Sequence, residues 1–237
     1  MFRNSVRKIV VTLTSLIAIP ALLLTGCGDD ATSVASSEEK PLIVVTTNIL
    51  GDVVSNMVGD NFKVEVIMPP GADPHDFQAS AQQVAKIMEA DLLIVNGANF
   101  EEGLLDVIEA AESDGVKVFK AISVVNQLEG HDGHDDHEGH DDHDHGGVDP
   151  HFFTDPARMA QVVEQLAEFL VAEFPEVDES SLVTAATNYK EQLENLDDEV
   201  AELLSAVPVD SRLLVTNHSV FAYFAERYQF ELSLIHI

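Results

Sequence analysis

The sequence predicts an α/β fold of two lobes with parallel-type sheets, bridged by a long rigid helix. Two observations predict it. Short β-branched runs alternate with helical stretches from Leu42 to Phe119, the signature of strand–helix–strand units. Farther on, Leu182, Ala186, Tyr189, Leu193, Leu196, Val200, Leu203 and Val207 recur at spacings of 4, 3, 4, 3, 4, 3 and 4. That stripe marks a helix about 39 Å long, read as a spine along the protein's own body rather than a coiled coil.

The elements follow in order. Leu42 to Thr46 is a strand, and Asn48 caps a helix toward Val58. Val64 to Met68 is a second strand, followed by Pro69-Pro70-Gly71. Ala81 to Ala90 reads as helix, Leu92 to Val95 as strand, Phe100 to Ser113 as helix and Val116 to Phe119 as strand. Thr154 or Asp155 before Pro156 starts another helix. Its apolar face is Val162, Val163, Leu166, Phe169, Leu170 and Phe174. After the spine and Pro208 come a strand over Arg212 to Thr216, a loop at Asn217-His218-Ser219 and a helix over Phe221 to Tyr228. In parallel sheets ligands sit beyond the carboxyl ends of strands, so the loop after Met68 is the first place to look for a site.

Composition narrows the partners. The 237 residues carry 12 Lys+Arg against 42 Asp+Glu, a net charge of −30. Nucleic acid is excluded, because phosphates would be repelled, and cations are the natural ligands. One cysteine, Cys27, rules out both an intramolecular disulfide framework and a cysteine-based structural zinc site.

The N-terminus reads as an address. Arg3, Arg7 and Lys8 precede an apolar stretch from Ile9 to Leu24. It is interrupted by Thr12, Thr14, Ser15 and Pro20, and is short for the roughly 20 apolar residues of a membrane span. A permanent anchor helix is the competing reading. Leu24-Thr25-Gly26-Cys27 resembles a bacterial lipobox, which implies cleavage before Cys27 and its acylation. Residues 1–26 are then a lipoprotein signal peptide and 27–40 an acylated Cys with a flexible tether. The remainder divides into an N-terminal lobe over 41–180 with a His-rich loop at 129–147, a linker helix at 181–207, and the start of a C-terminal lobe at 208–237.

Three histidines stand in comparable settings: His75 in Gly71-Ala72-Asp73-Pro74-His75, His151 in Asp149-Pro150-His151, and His218 in Thr216-Asn217-His218. In each Asp-Pro-His triplet the proline fixes the backbone before the imidazole, and the aspartate is placed to accept from it. A lone loop histidine is ordinarily a surface or capping residue. Three on loops of an acidic exported chain favour a shared site for zinc, copper, nickel or iron over magnesium or calcium. A tract of His131, His134, His137, His140, His143 and His145, interleaved with acids and free of Lys and Arg, suits weak auxiliary binding of divalent ions. A solvated charged linker is its alternative reading.

From Pro41 to Phe230 the chain resembles the zinc/manganese substrate-binding lipoproteins of bacterial ABC importers, the zinc-binding group in particular. The matching stretches are Gly71 to Phe77, Asn96-Gly97-Ala98-Asn99-Phe100-Glu101, Asp149 to Pro156, and His218 to Tyr228. The resemblance implies a metal cleft between the lobes, with His75 and His151 as ligands from the first lobe and His218 from the second. It also implies a carboxylate as the last ligand, farther along than this chain runs. The second lobe is therefore expected to be incomplete, and 232–237, which match nothing in the family, to be foreign, with no role for His236.

The function so implied is extracytoplasmic capture of Zn²⁺ and delivery to an ABC permease by a lipid-anchored monomer at the outer face of the cytoplasmic membrane or in the periplasm. Manganese is the competing cargo, which three imidazoles disfavour. A surface zinc buffer or adhesin would share the same fold and ligands. A zinc hydrolase also uses three histidines and an open position. No His-Glu-x-x-His helix or general base beside a histidine supports it, and the chain is expected not to be an enzyme.

Overall fold

Alternation of side chains within two short apolar strands organises the molecule. The computed structural model describes residues 40–130 and 147–235. The expected signal peptide, Cys27, the tether up to residue 39, the six tract histidines and His236 all lie outside them. Four strands, β1 (Leu42–Val45), β2 (Lys63–Val66), β3 (Leu92–Val95) and β4 (Lys117–Lys120), form a wholly parallel sheet in the order β2-β1-β3-β4. β1 and β3 are central and consist of apolar residues, as strands covered on both faces must be. Ile43, Val45, Leu92 and Ile94 face one core, while Val44, Leu93 and Val95 face the other.

Helices close both faces. On the first lie α1 (Asn48–Val58), α4 (Pro156–Glu173) and the start of α5 (Glu179–Ser205); on the second lie α2 (Ala81–Met88) and α3 (Leu105–Ser113). The cap of α1 is Thr47, one residue before the expected Asn48; its side chain accepts from the Leu50 amide. Ser80 and Gln83 form a reciprocal capping box on α2. Asp155 caps α4 through the Ala157 and Arg158 amides, with Pro156 at the first helical position as the sequence implied.

The apolar stripe of α5 divides in two. Leu182 and Ala186 are buried, and Tyr189 and Leu193 pack against the same core, so the first half lies on α1 and α4. In the second half Leu196 and Leu203 are exposed, and the helix is held by polar contacts. Asp197 receives Arg227 and the Tyr228 hydroxyl, and Arg212 donates to Leu204 O. The Arg227 hydrogen bond, helped by that of Tyr228, holds the Asp197 carboxyl below its ordinary range despite burial. Those contacts join α5 to β5 (Leu213–Thr216) and α6 (Ala222–Tyr228). β6 (Glu231–Leu234) pairs parallel with β5. No regular element was expected in that segment, although Glu231-Leu232-Ser233-Leu234 has the polar–apolar alternation of a strand.

Candidate metal centre

The three candidate histidines sit in loops between regular elements. His75 lies in the loop between β2 and α2, His151 in the loop entering α4, and His218 immediately after β5. The structure brings all three together: one ligand nitrogen from each lies within 4.8 Å of the others. Their ring centroids are 6.0 Å (His75–His151), 5.7 Å (His75–His218) and 5.2 Å (His151–His218) apart. His151 is buried, His75 half-buried and His218 exposed, so the cluster opens on the His218 side. Among the described residues no other His, Cys, Asp or Glu joins it.

The two Asp-Pro-His turns share a backbone and differ at the ring. Asp73 and Asp149 each accept from the amide of the histidine two residues on, at 3.0 and 2.8 Å. Asp149 Oδ1 also pairs with Nδ1 of His151 at 2.8 Å, as expected. His75 departs from expectation: its Nδ1 meets Glu102 Oε1 at 3.0 Å, not Asp73. A carboxylate at Nδ1 fixes the tautomer and aims Nε2 at the centre. Phe100 makes edge contacts with both rings at 5.3 and 5.5 Å, and Phe153 lies 6.0 Å from His151, so aromatic walls restrict ring rotation.

Behind the cluster a buried carboxylate ties the strand ends. Glu101 accepts from the Thr46 hydroxyl and the Asn96 amide, both at 2.6 Å, and from the Gly97 amide at 3.2 Å. Burial pushes its carboxyl above the usual range, against the pull of those hydrogen bonds. Asn96 in turn donates to Pro150 O at 2.9 Å, carrying the end of β3 to the residue preceding His151. In the sequence Glu101 closes the Asn96 to Glu101 stretch with no role attached to it, and Glu102 falls in no motif. The available signal was two adjacent acids just beyond the carboxyl end of a fully buried strand.

Comparison with known proteins agrees with this architecture. Residues 43–237 match the family described as ZnuA, zinc-uptake complex component A, periplasmic. The chain is 30% identical over 223 residues to the manganese-binding lipoprotein MntA of Bacillus subtilis, covering 93% of this chain and 68% of that protein. It is 31% identical over 223 residues to the zinc-binding lipoprotein AdcA of Streptococcus pneumoniae, covering 94% and 42%. Among solved structures, the periplasmic zinc-binding protein TroA of Treponema pallidum superposes with a TM-score of 0.70 at 26% identity, over 82% of this chain and 66% of that one. The chain thus spans about two thirds of the length of MntA and TroA. These relatives are solute-binding proteins, not enzymes, which removes the hydrolase alternative. The chain belongs to the ZnuA family of metal-binding, substrate-binding lipoproteins of ABC transporters.

Proposed function

We propose that the protein captures Zn²⁺ outside the cytoplasm and delivers it to an ABC permease, with His75, His151 and His218 as ligands. The observation that carries the reading is the convergence of three imidazoles, two of them with Nδ1 held by carboxylates. Tetrahedral zinc with Zn–N near 2.1 Å wants ligand nitrogens roughly 3.4 Å apart. A cluster already within 4.8 Å needs only modest ring movement to close on one ion. Borderline-soft zinc suits imidazole, whereas manganese favours oxygen-rich sets. Manganese stays in the test because MntA, named for manganese, is 30% identical.

Anchoring through an acylated Cys27 belongs to the same proposal and is supported by the name lipoprotein carried by the relatives. Cys27→Ser should then move the protein out of the membrane fraction. The six tract histidines are proposed as weak auxiliary sites separate from this centre. The deciding experiment is a zinc against manganese competition titration on protein lacking residues 131–145. One tight zinc site that manganese does not displace is expected. His75→Ala, His151→Ala and His218→Ala should each weaken it at least tenfold, about 1.4 kcal/mol. A preference for manganese would overturn the zinc assignment, and wild-type affinity in any variant would remove that residue from the ligand set.

A further inference from the structure

We propose that Tyr223 is a positioning residue for the metal centre, its buried hydroxyl setting the separation of His151 and His218. The inference rests on reading those histidines as ligands. Tyr223 lies on α6, five residues beyond His218, and is fully buried in the core beneath the four-stranded sheet. Its hydroxyl donates to Asp149 O at 2.7 Å and accepts from the Leu128 amide at 3.0 Å. Asp149 is the residue whose carboxylate holds both the amide and Nδ1 of His151. One phenol therefore connects the helix that follows His218 to the main chain of the group that aims His151.

The ring is locked in turn by Arg158. The guanidinium lies 4.6 Å from the Tyr223 centroid, donates through Nε to Asn126 O at 3.0 Å, and forks to Asp155 and to Glu226 on α6. Burial opposes its charge, but the hydrogen bonds to Glu226 and Asp155 prevail and hold its pKa above the ordinary value. The cap of α4, the loop before His151 and the helix after His218 thus meet on one Tyr–Arg pair. Phenylalanine would fill the same volume, so packing alone does not account for the hydroxyl. Its two partners are main-chain groups on either side of the antiparallel Glu129–Val148 bridge, and without it the Leu128 amide loses this acceptor. The pair with the shortest ring separation, His151–His218 at 5.2 Å, is the one this clasp spans.

The test compares full-length wild type, Tyr223→Phe and a control, Ile87→Val, which trims the core on the opposite face of the sheet. One equivalent of Co²⁺ reports coordination geometry by visible absorption, and Zn²⁺ competition reports affinity. Tyr223→Phe is expected to shift the cobalt bands and weaken zinc about tenfold, the scale of groups that orient a ligand. Ile87→Val is expected to lower thermal stability with spectrum and affinity unchanged. A Tyr223→Phe protein with the wild-type spectrum and affinity would overturn the inference while leaving the ligand assignment intact. Wild type that bound no metal would overturn both. If Tyr223→Phe does not fold, Arg158→Lys carries the same readout: altered cobalt bands support the clasp and unaltered bands refute it.

Discussion

Glu102 and Asp149 serve two histidines in the same way from different distances along the chain. Asp149 is two residues from its partner and Glu102 is 27 residues from its own. Local spacing made the first visible, because an Asp-Pro-His turn seats the carboxylate on the amide of its histidine and within reach of the ring, although Asp73 in the same turn stops at the amide. The second depends on how α3 is set against the loop after β2, which no spacing encodes. Removing such a partner costs a metal site roughly 10- to 100-fold in affinity. Glu102→Ala should therefore weaken zinc binding within that range while His75 remains a ligand, so that His75→Ala on top of it costs further affinity. A Glu102→Ala protein that titrates like wild type would show that the carboxylate merely lies against the ring.

At the scale of elements, the strands and long helices were legible because their apolar periods are regular. Their ends were less so. A helix was expected from Phe100, but α3 begins at Leu105, after a 3-10 turn over Glu102–Leu104. Gly97, Ala98 and Asn99 all have positive φ, at 86°, 52° and 58°, which unwinds the segment and turns Glu101 inward. Glycine permits this readily and alanine does not, so Ala98 concealed the turn. Gly103 bears directly on the site. A Cβ there would lie 2.2 Å from Phe77 O, the main chain of the loop that carries His75. Backbone cannot yield as a flexible side chain does. Gly103→Ala should push that loop from the start of α3, costing about 1–3 kcal/mol of stability. The same shift should separate His75 from Glu102, so zinc affinity falls too, whereas a stability loss without an affinity loss would mean the loop relaxes elsewhere. Calorimetry and competition titration on one preparation distinguish these outcomes.

For the whole molecule, the three histidines arise from segments that share little else. His75 and His151 depend on the four-stranded sheet and its helices, and His218 follows the first strand of a two-stranded sheet joined to them through α5, α6 and the Tyr223 clasp. Sequence periodicity identified those bodies but carried no term for their mutual placement, which is set by Arg158, Tyr223, Asp197 and Arg227. A metal bound by all three imidazoles adds a further link, present only in the folded state. Free zinc at 100 times its Kd should stabilise that state by about 2.7 kcal/mol. For a chain of this size each kcal/mol moves Tm by roughly 2–4 °C. A rise on the order of 5–10 °C is therefore expected, measured by scanning calorimetry and reversed by a chelator. The His218→Ala variant, which retains the two histidines of the four-stranded part, should show a much smaller rise at the same free zinc. An equal rise would mean that the ion is held without the second sheet, and that loading does not join the two parts.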